Sequence, residues 1–238
     1  MPVLYSYTAM IPSILPSTGP IGVFDSGYGG LTILDKIRGL MPEYDYIYLG
    51  DSARCPYGPR SFEVVYEFTL QAVSKLFELG CPLVILACNT ASAKALRTIQ
   101  QINLPVIDAT RRVLGVIRPT AECIGEITRS RHVGILATAG TIKSESYLLE
   151  IHKLSPDIVV TGEACPMWVS LVENNEYQSE GADYFVKQHI NRLLDKDPMI
   201  DTIILGCTHY PLLLDKIRQF TPEPIRIISQ GEYVARSL

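Results

Sequence analysis

LVILACNTAS at residues 83–92 and TIILGCTHYP at residues 202–211 decide how this chain is read. Each is an apolar run rich in β-branched residues. A small residue and a cysteine follow, then hydroxyl or amide residues that open a helical pattern, so 83–88 and 202–207 are predicted to be buried strands. Working outward, the same kind of run recurs at 21–25 (IGVFD), 46–51 (YIYLGD), 105–109 (PVIDA), 133–138 (VGILAT), 158–160 (IVV) and 225–229 (IRIIS). Continuous apolar strands of this length suit a parallel sheet buried on both faces. Between them, residues 31–40, 61–80, 91–102, 113–130, 141–154, 183–195 and 211–220 carry apolar residues at three- and four-residue spacing. Leu31, Leu34, Ile37 and Leu40 form one such stripe.

Alternating strands and helices predict an α/β fold. The echo between the two cysteine stretches predicts two similar open α/β lobes with mainly parallel sheets and an active site in the cleft between them. A chance echo within an α/β chain is the competing reading. The expected division is a tail over 1–20, a first lobe from 21–112 plus 211–238, and a second lobe over 113–210.

Composition narrows the function classes. Hydrophobic residues make up 47% of the 238 and charged residues 19%, so burial can offset the entropy of ordering and the chain is globular. A net charge of −4 disfavours general nucleic-acid binding. No apolar run reaches the ~18–20 residues of a membrane span. The first charged residue is Asp25, and Pro12 and Pro16 interrupt the early apolar stretch, so no secretory signal is read. Six cysteines without a CxxC pair argue against a disulfide scaffold, a zinc site or a thioredoxin-type centre. A soluble protein of the reducing cytoplasm is expected.

Ligands of open α/β sheets sit at the carboxyl ends of strands, where helices begin. The first such end carries DSGYGG at 25–30, a turn without a phosphate-binding lysine; Asp25 there suits a ligand bearing an ammonium group better than an anion. A structural turn capped by Asp25 is the plainer reading. DSARCPYG at 51–58 ends the second strand in a polar loop, with no partner evident for Cys55. Cys88 and Cys207 occupy matching positions, each before a helix start, where the helix dipole favours a thiolate. A lone cysteine in such a place is usually a small buried hydrophobe; two in matching places are more informative. Facing each other across a cleft, two thiols serve as opposed acid and base for inverting a carbon with a weakly acidic C–H. Asp25, His209 and Glu173 are the groups that assist them. No pyridoxal-phosphate lysine motif, GxGxxG turn or metal-ligand spacing is present, so no cofactor and no metal are expected.

These motifs resemble those of the glutamate racemases, within the aspartate/glutamate racemase superfamily. The resemblance runs from about Ile21 to Ala235 through DSGYGGL (25–31), DSARCPYG (51–58), LACNTAS (86–92), GILATAGT (134–141), ACPMWVSLVE (164–173) and LGCTHYPLL (205–213). It implies cofactor-independent interconversion of L- and D-glutamate, supplying D-glutamate for peptidoglycan. By matched position it makes Cys88 and Cys207 the acid/base pair, with Cys88 acting on D-glutamate. Asp25, His209 and Glu173 become their supports. It further implies substrate contacts from Asp25, Ser26, Tyr57, Gly58, Asn89, Thr90, Thr208 and His209, and a homodimer without nucleic-acid or membrane partners. The aspartate branch of the superfamily typically has Thr-Glu after its second cysteine, whereas this chain has Thr208-His209. Aspartate or another amino acid as substrate, a binding protein that kept the cleft, and a thiol-redox pair are the alternatives. One departure stands out: Ser229-Gln230 occupies the place of a usual Asp-Ser pair, which bears on C-terminal packing. Cys81, Cys123, Cys165, Trp168 and Tyr177 read as packing residues, and His132, His152 and His189 as surface positions.

Overall fold

A computed structural model of the chain describes residues 19–238; the expected tail lies outside the described residues through position 18. The elements run β1 (Ile21–Asp25), α1 (Leu31–Leu40), β2 (Tyr46–Gly50), α2 (Phe62–Glu78), β3 (Leu83–Leu86), α3 (Asn89–Lys94), α4 (Leu96–Thr98), α5 (Leu104–Ile107) and β4 (Arg112–Gly115). A wider turn over Ile99–Asn103 joins α4 to α5. There follow α6 (Ile117–Ile127), β5 (His132–Ala137), α7 (Ala139–Lys143), α8 (Ser146–Leu154), β6 (Val159–Ala164), α9 (Trp168–Glu173) and α10 (Glu180–Lys196). The chain ends with β7 (Thr202–Gly206), a 3-10 turn over Tyr210–Leu213, α11 (Leu214–Phe220), β8 (Arg226–Ser229) and α12 (Gly231–Ser237).

Two four-stranded sheets result, ordered β2-β1-β3-β4 and β6-β5-β7-β8. The described strand pairs are all parallel. The two sheets repeat one topology, as the echoed cysteine stretches require: β3 and β7 hold the same third place in their sheets.

Side-chain alternation explains why these runs are apolar throughout. On β3, Val84 and Leu86 face Val65, Leu76 and Tyr57, whereas Leu83 and Ile85 face Ile33, Ile37 and Val234 on the opposite side. On β7, Ile203 and Leu205 join Trp168, Val186 and Tyr210, while Ile204 joins Ile124, Tyr147 and Ile151. Each fully buried aliphatic side chain contributes roughly 1.5–3 kcal/mol by leaving water. Trp168 is fully buried, as is His189, whose Nδ1 lies 3.1 Å from Trp168 Nε1. The surface position expected for His189 is thereby corrected.

Three expectations shift. PVIDA at 105–109 is not a strand: its first part closes helix α5, with Pro105 in the first turn, where no N–H is needed. Val106 and Ile107 of that run are exposed, so they could not supply a core strand. The edge strand is instead Arg112–Gly115, paired with Leu83–Leu86, at the start of a stretch expected to be helical. The expected lobe limits move accordingly: 113–115 belong to the first sheet, and Arg226–Ser229 hydrogen-bond to β7 in the second. Only α12 then returns to the first lobe, where Val234 and Ala235 pack with Ile33 and Ile37. Among the described residues no helix is long and apolar enough to cross a membrane.

Candidate functional site

β1 and β3 are neighbours in the first sheet, so their carboxyl ends place Asp25 and Cys88 side by side. β7, at the centre of the second sheet, delivers Cys207, Thr208 and His209. Both thiols are buried, with Cys88 5% and Cys207 6% exposed. They line one closed cavity together with Ser26, Tyr57, Gly58, Asn89, Thr90, Thr138, Val169, Thr208 and His209. Its volume is about 10 Å³, the room of a single water. A hollow of about 690 Å³ opens elsewhere, between Leu96, Leu114, Arg118, Leu149 and Leu238, and holds none of the expected site residues.

Cys88 caps α3: its Sγ accepts the Ala91 N–H at 3.4 Å, and the Ser26 hydroxyl lies 3.6 Å from it. Burial, and then the negative charge of Asp25, push its thiol up to about 11. Cys207 is held well above the ordinary thiol range, first by burial, with the His209 backbone N–H acting against it. Asp25 is fully buried; its carboxylate accepts the Gly27 N–H at 3.0 Å and the Thr208 hydroxyl at 3.2 Å. Burial raises it above the usual carboxylate value, with His209 opposing.

On the Cys207 side, His209 Nδ1 lies 3.9 Å from Cys207 Sγ, and Nε2 lies 2.5 Å from Glu173 Oε1. Glu173 ends α9, and its Oε1 also accepts from Cys55 Sγ at 3.8 Å, which supplies the partner that Cys55 lacked in the sequence. Burial first, and the charge of Glu173 next, push Cys55 up to about 12. The Tyr28 hydroxyl donates to the Val172 carbonyl at 2.5 Å, and its ring meets His209 edge-on at 5.6 Å. Gly29 allows this approach: a Cβ there would stand 2.6 Å from His209 Nδ1.

Of the expected site residues, Asp25 and Glu173 do not line the cavity but hydrogen-bond to Thr208 and His209, which do, and Tyr57 turns its hydroxyl away, to Asp51 Oδ2. Sequence reasoning gave no role to Thr138, Thr141 and Tyr147, and read Gln230 only as part of a departure from the resembling family. The Thr138 hydroxyl lies 2.9 Å from that of Thr90, joining the lobes. Its place at the carboxyl end of β5 was the signal that could have found it. The arrangement offers two thiols from different lobes on one enclosed space, each with its own polar support, which is the equipment for adding and removing a proton at two faces of one carbon.

This fold and site define a class. The family model for Asp/Glu/Hydantoin racemase matches residues 32–238, and the chain belongs to that family, an isomerase of the amino-acid racemase kind. It is similar to the glutamate racemase of Bacillus cereus, 41% identical over 219 residues, which cover 92% of this chain and 78% of that one. Among solved structures it is similar to a glutamate racemase isoform from Bacillus anthracis, with a TM-score of 0.85, 38% identity, and 92% and 79% of the two chains covered. It is also similar to the glutamate racemase from Francisella tularensis in complex with D-glutamate, with a TM-score of 0.81, 34% identity, and 92% and 78% coverage.

Proposed function

We propose that this chain interconverts L- and D-glutamate by direct proton transfer between Cys88 and Cys207, without a cofactor. The observation that carries the mechanism is that two buried thiols, one from each lobe, line the same cavity. Glutamate as substrate is supported by relatives about 40% identical over most of the chain.

In this reading the thiolate on one side takes the α-proton and the thiol on the other side gives its own to the opposite face. The carbon inverts and the two sulfurs exchange roles. Cys88 acts on D-glutamate and Cys207 on L-glutamate. The α-ammonium group meets Asp25. The carboxylates meet Ser26, Asn89, Thr90 and Thr208, with Tyr57 and Gly58 closing the wall. Glu173 orients His209, which supports Cys207. The closed cavity is far too small for an amino acid, so the lobes part to admit substrate and close around it, which strengthens every electrostatic contact inside. The same reading makes the chain a cytoplasmic homodimer that supplies D-glutamate for peptidoglycan.

Incubation with L- or D-glutamate in D₂O under reducing conditions tests it. Loss of the α-proton signal together with optical activity is expected for glutamate and not for aspartate. Cys88→Ala and Cys207→Ala should each abolish racemisation in a folded chain. Racemisation at the wild-type rate by either variant would refute the two-thiol mechanism, and exchange of aspartate alone would refute the substrate.

A further inference from the structure

Beneath the two thiols lies a closed ring of three buried polar side chains. Gln230 Nε2 donates to the Tyr147 hydroxyl at 2.6 Å, that hydroxyl donates to Asn89 Oδ1 at 2.7 Å, and Asn89 Nδ2 donates to Gln230 Oε1 at 2.7 Å. Gln230 and Asn89 are each 2% exposed and Tyr147 is 3%. Gln230 Nε2 also lies 3.1 Å from the Val116 carbonyl and 3.1 Å from Thr120 Oγ1. The Val116 carbonyl can only accept, so it fixes which end of the Gln230 amide faces it. That choice turns Oε1 toward Asn89 and sets the direction of every bond in the ring.

The ring spans the molecule at the site. Asn89 is the residue after Cys88 and opens α3. Tyr147 belongs to α8 in the second lobe, and its ring lies against Gly206, the residue before Cys207: a Cβ on Gly206 would stand 3.1 Å from Tyr147 Cε2. Gln230 sits where the chain leaves β8 for α12 and the first lobe.

We propose that Gln230, acting through Tyr147 and Asn89, is a positioning residue that sets the two thiols against each other. With Ser229 it forms the pair that stands where the resembling family has Asp-Ser, Gln230 taking the second place. Its amide accepts at Oε1 while Nε2 donates, so one side chain holds both ends of the ring. The proposal rests on the racemase reading above for its kinetic readout.

Tyr147→Phe, which deletes one hydroxyl, and Gln230→Met test it in the full chain, singly and together. A displaced thiol costs turnover steeply, so each single variant should lose about ten-fold or more in kcat per folded molecule, with KM within about three-fold. Because one broken bond already opens the ring, the double variant should be no worse than the poorer single one, as coupled partners require. Iodoacetamide labelling of the substrate-free chain, followed peptide by peptide, supplies a readout independent of turnover. Rates at Cys88 and Cys207 should shift at least about three-fold in Tyr147→Phe, while Cys123 keeps its rate. Unchanged kcat per folded molecule beside a lowered melting temperature would reduce the ring to a structural role and overturn the proposal; multiplying losses in the double variant would do the same. If the wild-type chain leaves glutamate untouched, the racemase reading fails and labelling alone decides: unchanged rates at both thiols then overturn the ring.

Discussion

The resting state of Cys88 can be titrated directly. Its thiol is pushed from the ordinary 9.0 to about 11, by burial first and by the charge of Asp25 second. At 1.36 kcal/mol per pH unit, that displacement disfavours the thiolate by ~3 kcal/mol. The Ala91 N–H at 3.4 Å and the Ser26 hydroxyl at 3.6 Å recover only part of the loss. At pH 7 the thiolate is then about one molecule in 10⁴, against about one in 10² for an unperturbed thiol. Alkylation proceeds through the thiolate. Labelling of Cys88 by iodoacetamide should therefore climb about ten-fold per pH unit from 7 to 10, with no plateau in that range. Asp25→Asn removes the second cause, so labelling at pH 8 should quicken. The window closes at high pH for a reason of sign. The folded state holds the proton more tightly than the unfolded one, so the stability this thiol contributes is present below pH 9 and lost as pH rises toward about 11. A plateau near pH 8, or slower labelling in Asp25→Asn, would refute the reasoning. The expected result has a mechanistic corollary: the free site is poised off, and an ammonium group arriving beside Asp25 offsets the charge that keeps the thiol protonated.

Two further outcomes follow from the same geometry. Glu173→Gln keeps an acceptor near His209 but replaces a charge-assisted bond by a neutral one, a loss of ~1–1.5 kcal/mol; a chiral assay run in both directions should show kcat/KM down about ten-fold in each, and an unchanged value would remove Glu173 from the site. Asp201 serves stability alone: burial would raise it, yet the Ser130 and Arg129 N–H groups and the Thr128 and Thr202 hydroxyls hold it at about 2. Asp201→Asn should lower the melting temperature at pH 7 by about 3–10 °C. The difference should shrink as pH falls from 3.8 toward 2, where the wild-type carboxylate takes up its proton; an equal difference at pH 2.5 would contradict the assignment.

The strands that cross the core were legible because both faces are buried, which forces continuous apolar runs such as LVIL and TIILG. The edge strand RVLG was not, since Arg112 and the exposed Leu114 spoil the apolar signal. The neighbouring PVI imitates a strand while forming an exposed helix end. The cysteines were legible because the repeat marked them twice, and Asp25 because a charge at the end of an apolar run is conspicuous. Lobe limits were harder: the last strand lies beyond α11, and nothing local to Arg226–Ser229 says which sheet it joins. Gln230 was visible as a departure from the resembling family, yet its role depends on Tyr147 and Asn89, 83 and 141 residues away in sequence. Long-range polar pairing leaves no periodicity to read.

The fold repeats itself, but the surroundings of the two thiols do not. Cys88 has Asp25, Ser26 and the Ala91 N–H; Cys207 has His209, Glu173 behind it, and Cys55 behind that. For the proposed racemisation this asymmetry is constrained by thermodynamics. Mirror-image molecules have equal free energies in water, so kcat/KM must be the same in the two directions however differently the two sides are built. The asymmetry is therefore free to act only on how kcat and KM divide within each direction, and on which sulfur ionises first. Burial raises both thiols above the ordinary range, with the charge of Asp25 adding to the rise at Cys88 and the His209 backbone N–H opposing it at Cys207. The imidazole and carboxylate behind Cys207 then have a reason to be there: a buried sulfur whose burial disfavours the thiolate has a proton-handling pair beside it.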